Sequence, residues 1–191
     1  AEAYTAFAEK EEKRNLEESE YLYREALTVK ERTQNKENIG TGYFWVGYVL
    51  LLQKKQKEAL KYFLKSKAIF EEKESYFRLS MVNTTMGKTY YEMGNYEEAL
   101  KNLEKGFELA EYENSEYGKA SALLNLSEFY IKIDNYNQAI TKAKECIPIF
   151  EELGEHESAA TATMNIGSAY FYKNENQLAS EYYEKALKYK G

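Results

Sequence analysis

Val82, Met86, Tyr90 and Met93 fall on one helical face, and Tyr96, Ala99, Leu100, Leu103, Phe107 and Ala110 fall on another. Both sets follow the i, i+3, i+4 spacing of an amphipathic helix with one side turned inward. The pattern breaks at residues 93–96, Met-Gly-Asn-Tyr. Gly94 there predicts a helix terminus and Asn95 the cap of the following helix. The segment therefore reads as a helix pair joined by a tight turn, with no alternating stretch that would suggest a strand.

The pair recurs. Gly87 and Tyr90 return as Gly167 and Tyr170, and in altered form as Gly47 with Leu50 and Ser127 with Tyr130, a period of 40 residues (47, 87, 127, 167). Each anchor is followed by an alanine (Ala59, Ala99, Ala139, Ala179), then by Phe63, Leu103, Ala143 or Tyr183, then by a small residue (Ser66, Gly106, Cys146, Ala186). Residues 19–27 overlay residues 179–187 four periods away, which adds a degenerate first copy. The small residues mark places where paired helices must approach closely, with aromatics such as Tyr90 filling the space beside them. A single pair cannot bury its apolar faces, so the units must stack. The expected organisation is one all-α array over residues 1–191, with repeats at 1–39 (degenerate), 40–79, 80–119, 120–159 and 160–191.

Met86-Gly87-x-x-Tyr90 with Ala99-x-x-x-Leu103, and Ile166-Gly167-x-x-Tyr170 with Ala179-x-x-x-Tyr183, resemble the signature of the tetratricopeptide repeat. The usual unit of that family is about 34 residues, and the longer unit here departs from it; HEAT-type repeats reach this length but lack the Gly-x-x-Tyr…Ala phrase. Longer variants are known from bacterial regulators that bind short peptides, from signalling ATPases and kinase-linked sensors, and from the animal spindle-orientation adaptor. The run at residues 146–167, with Pro148 late in a second helix, is most like the bacterial variants.

The resemblance implies a right-handed α-α superhelix of about five helix-turn-helix repeats whose first helices line a concave groove. It nominates Phe44, Trp45, Tyr48, Lys88, Tyr91, Leu124, Asn125, Glu128, Lys132, Met164, Asn165 and Ser168 as groove residues. Asn125 and Asn165 sit one repeat apart, and an amide that both donates and accepts can grip an extended backbone whatever its side chains. The aromatics would then form side-chain pockets. The implied partner is a protein or peptide, and the implied role is an interaction module of a larger bacterial regulatory or signalling protein, in the cytoplasm or as the periplasmic part of an anchored sensor. The rival reading is a scaffold segment without a groove ligand, which pairs with a second copy through the apolar C-terminal end of residues 181–191.

Composition narrows the remaining classes. A net charge of -6 argues against nucleic acid, which needs a basic face. Trp45 to Leu52 is too short an apolar run for a membrane span, so no membrane contact is expected of this segment. The first residue is alanine, which suggests a processed chain or a piece of a longer one. Cys146 is the only cysteine and falls in the small-residue packing slot; His156, the only histidine, falls in a polar turn. Neither has the companions that a nucleophile or a metal site requires. Pro148 predicts a kink, the pairs Glu97–Glu98 and Glu151–Glu152 read as solvated helix faces, and the sequons at Asn83 and Asn125 fall inside predicted helices. There is no glycine-rich phosphate loop. No catalytic residues, metal ligands or cofactors are expected, and the chain reads as a non-enzyme.

Overall fold

A computed structural model describes residues 15–33 and 35–190. Its helices are α1 (Leu16–Arg32), α2 (Lys36–Leu52), α3 (Gln56–Glu72), α4 (Tyr76–Glu92), α5 (Tyr96–Tyr112), α6 (Glu116–Lys132), α7 (Tyr136–Glu152), α8 (His156–Tyr172) and α9 (Asn176–Leu187), followed by one turn of 3-10 helix, Lys188–Lys190. No strand occurs among the described residues. The helices stack as a right-handed superhelix of antiparallel pairs, α2 with α3, α4 with α5, α6 with α7 and α8 with α9. α1 is the second helix of the degenerate first copy; its expected first helix lies outside the described residues.

Helices α2 to α8 each contain 17 residues, roughly 25 Å of rod. Three-residue links join them, and the middle residue of each described link from Lys54 onward has a left-handed backbone: Lys54, Glu74, Gly94, Asn114, Asp134, Gly154 and Asn174. Asn95 N–H donates to the Tyr90 carbonyl at 2.9 Å and Gly94 N–H to that of Tyr91 at 3.0 Å. This reciprocal pair closes the last turn and satisfies carbonyls that a helix end otherwise leaves open. The third link residue begins the next helix. Asn35, Ser115 and Asn135 cap through their side chains, whereas Asn95 holds the expected cap position without a side-chain bond.

The spacing of small residues is explained by what faces them. A Cβ added to Gly87 would lie 2.6 Å from Leu103 Cγ, and one on Gly47 would lie 2.7 Å from Phe63 Cε1. Where the fourth copy has Ser127 instead, the residue at the Leu103 position is Ala143, and Ser127 Oγ donates to the Ala139 carbonyl at 2.9 Å. Large meets glycine and small meets serine, so each pair keeps one separation. Ser66 and Ser80 tie neighbouring helices in the same manner, through the carbonyls of Gly40 and Gly106. Cys146 is fully enclosed in its packing slot, and burial pushes its thiol up to about 12. Pro148 is accommodated inside an unbroken α7.

Packing is uneven along the array. α4 and α5 form the most intimate pair. The junction between the α2–α3 pair and the α4–α5 pair is the thinnest: α2 meets α4 less than α4 meets α6, and α3 meets α4 less than α5 meets α6.

Candidate functional site

Consecutive first helices touch, α2 with α4, α4 with α6 and α6 with α8, while consecutive second helices do not approach to that degree. Elements drawn together lie on the inside of a curve. The first-helix face is therefore the concave one.

At the thin junction this face opens into a cavity of about 460 Å³. Phe44, Tyr48, Leu51 and Leu52 of α2 form one wall; Phe77, Met81, Thr84 and Lys88 of α4 form the other; Tyr117, Ser121 and Asn125 of α6 close the far side. Of the groove residues expected from the sequence, the cavity brings together Phe44, Tyr48, Lys88 and Asn125. Sequence reasoning did not reach Phe77 and Tyr117. They lie one helical turn before Met81 and Ser121 on the same stripe, and the signal was the extra length of each helix.

The other expected residues are placed as follows. Trp45 stacks on Tyr23 of α1 with ring centroids 5.8 Å apart and nearly parallel planes, so it faces the N-terminal layer and not the cavity. Leu124 is half-buried against the α6–α8 core. Lys132 and Met164 are exposed. Ser168 Oγ accepts from the Tyr183 hydroxyl at 3.2 Å.

Lys88, Tyr91 and Glu128 form one cluster across α4 and α6. Glu128 Oε2 accepts from the Tyr91 hydroxyl at 2.8 Å and from Lys88 Nζ at 3.3 Å. Burial, the Glu128 charge and that hydrogen bond hold the Tyr91 hydroxyl protonated well above the ordinary phenol range. These three side chains bind one another and so tie α4 to α6.

The two asparagines are complementary. Asn125 Nδ2 donates to the Ser121 carbonyl one turn back at 2.8 Å, which leaves Oδ1 as its available acceptor. Asn165 Nδ2, on the neighbouring first helix, is enclosed and makes no hydrogen bond to the protein. An enclosed donor without a partner costs about 1–3 kcal/mol, and such groups are rare enough to call for a reason.

Among the described residues no group of three His, Cys, Asp or Glu side chains could hold a metal ion, and no helix is long and apolar enough to cross a membrane. His156 opens α8 and is exposed.

Comparison with known proteins agrees with this geometry. A family model described as tetratricopeptide repeat matches residues 39–112, 77–152 and 118–190. No match is found among curated protein sequences. Among solved structures, BtubC from P. vanneervenii superposes with a TM-score of 0.81 at 18% identity, covering 99% of this chain and 79% of that one. A Rap protein complexed with Competence and Sporulation Factor gives 0.89 at 21%, covering 97% of this chain and 52% of that one. A signal-transduction ATPase of the STAND class with a tetratricopeptide repeat sensor, from Pyrococcus horikoshii, gives 0.79 at 23%, covering 98% and 29%. At these identities the likeness is one of fold. The chain spans about half of the Rap protein and under a third of the STAND protein.

Proposed function

The chain belongs to the tetratricopeptide repeat family, and from that premise we propose that it grips a short extended segment of a partner protein along its concave face, as one part of a larger bacterial regulatory or signalling protein. The observation that carries the reading is the pair of amides on adjacent first helices. Asn125 offers an acceptor and Asn165 an unsatisfied donor. An extended peptide presents N–H and C=O groups in alternation, and the broad χ2 freedom of asparagine lets the Asn165 donor turn toward the groove. Such contacts hold any sequence; the apolar walls near Phe44 and Tyr48 would add preference. The cluster of Lys88, Tyr91 and Glu128 ties α4 to α6, so binding orders the ligand without reshaping the protein. The Rap and STAND proteins, regulators of the same fold, support the class of function.

The test is capture of a peptide ligand by the wild-type chain and by the Asn125→Ala, Asn165→Ala double variant. Capture should be lost while helical circular dichroism is unchanged. Undiminished capture would remove the asparagine clamp.

A second reading, assembly of two copies through the C-terminal end face, has its own observation. Leu187 is 66% exposed, whereas its repeat equivalents Leu27 and Ile147 are 7% and 8% exposed under the following first helix. Light scattering on the wild-type chain and on Tyr182→Glu, Leu187→Glu decides this: monomers in both cases exclude assembly.

A further inference from the structure

The cavity at the thin junction has a chemistry of its own. Phe77, Met81 and Leu52 are 46%, 38% and 37% exposed, an unusual density of large apolar groups on one concave surface. Beneath them Phe44 and Leu51 are buried and form an apolar floor. Two polar groups of the α4 wall are already engaged: Ser80 Oγ donates to the Gly106 carbonyl at 2.7 Å and Thr85 Oγ1 to that of Met81 at 2.9 Å.

The charges at the rim are engaged as well. Lys54 lies 3.8 Å from Glu92, and Lys88 lies 3.3 Å from Glu128, which also holds Tyr91. Lys54, Lys88 and Glu92 line the cavity, and with Glu128 beside it each of these charges has a partner of opposite sign. A charged group entering the cavity would shed water and meet no excess of the opposite sign. An apolar group would leave every pair intact and cover Phe77 and Met81. The volume, about 460 Å³, falls in the range of about 300–1,000 Å³ of pockets that enclose small ligands.

We propose that the cleft between α2 and α4 is an anchor pocket for a bulky, uncharged apolar side chain of the bound peptide, with Phe77 and Met81 of α4 closing over it and Phe44, Tyr48 and Leu51 beneath. The proposal rests on the groove reading above and sharpens it. The asparagines of α6 and α8 hold backbone, and the α2–α4 cleft selects the side chain. The site lies where it does because α2 and α4 pack least among successive first helices. The array is open where the anchor enters and closed where the backbone is held.

The experiment pans a displayed library of random short peptides on the full chain and measures the enriched peptides by fluorescence anisotropy. The enriched peptides should share a Leu, Met, Phe or Trp without a flanking charge preference. Met81→Lys and Phe77→Ser alter exposed side chains and should leave the helical spectrum unchanged, yet each should weaken binding by about tenfold or more, as loss of an anchor contact does. Affinity should change less than about twofold between low and high salt, because no ion pair forms on binding. A charged consensus with steep salt dependence overturns the proposal, and so do peptides indifferent to both variants. Peptides lost from Asn125→Ala, Asn165→Ala but retained by Met81→Lys and Phe77→Ser keep the groove reading and remove the anchor. A library that yields no binder removes both.

Discussion

The pairing of Gly87 with Leu103, set beside that of Ser127 with Ala143, predicts a strong coupling between two positions that hydropathy alone would treat as independent. In Gly87→Ser the new Cβ would lie 2.6 Å from Leu103 Cγ, 2.8 Å from Leu103 Cδ2 and 3.0 Å from the Ala99 carbonyl oxygen. Leu103 has no exposed surface, so it can yield only by forcing α4 and α5 apart. Overpacking of this kind costs about 1–3 kcal/mol. Leu103→Ala alone empties a fully enclosed site and costs about 2–5 kcal/mol. Together the two changes recreate the fourth copy of the repeat. The serine enters the space the leucine left, and its hydroxyl reaches the Ala99 carbonyl as Ser127 reaches that of Ala139 at 2.9 Å. The double variant should therefore be more stable than Leu103→Ala, with a favourable coupling of about 1–3 kcal/mol. Urea unfolding of the four proteins, followed by far-ultraviolet circular dichroism, measures it. Additivity within about 0.5 kcal/mol would refute the account of how the helices are spaced.

Other consequences concern the links, the groove floor and the buried thiol. Glu74 adopts a left-handed backbone without being glycine (φ 51°), so Glu74→Gly should stabilise the chain by about 0.5–1 kcal/mol and raise Tm by about 1–4 °C in calorimetry. The Tyr91 hydroxyl titrates above its ordinary value of 10.0, so its contribution is complete below that pH and is lost as pH rises through the higher folded value. Tyr43, Tyr90, Tyr136 and Tyr189 are raised as well, so spectrophotometric titration should show several late tyrosines, and Tyr91→Phe should delete the last step. Glu128→Ala leaves the half-buried Tyr91 hydroxyl without its acceptor and should cost about 1 kcal/mol, much of it recovered by adding Tyr91→Phe; denaturant midpoints of the three variants test this. Burial places the Cys146 thiol at about 12, so a thiol reagent should modify it only at the rate of unfolding.

The fold was legible because helix spacing in a repeat array depends on residue size at fixed positions, and size is visible in the sequence. Gly87, Ala99 and Gly106 recur in kind at every period. The link was legible at Gly94, where glycine announces a left-handed turn. At Lys54 and Glu74 no glycine marks the left-handed residue, and the turn is imposed by the reciprocal hydrogen bonds of the helix end. The sequence marks the inner face as a set of positions and not as a set of contacts. Lys88, Tyr91 and Glu128 were expected to face a ligand separately; their union depends on the rotation of α4 against α6, which no local pattern encodes. Trp45 turned to Tyr23 because the first helix of the array has a neighbour on its N-terminal side. The cavity itself follows from uneven packing between repeats, a property of the assembled array and not of any one unit.

A partner segment bound as proposed lies along the inner face formed by α2, α4, α6 and α8. Amide hydrogen exchange of the chain, alone and saturated with an enriched peptide, reads this out. Exchange should slow in the first helices, centred on residues 77–92 and 117–132, with little change in α3, α5 and α7. Protection concentrated in those second helices, or in α9 alone, would overturn the groove reading.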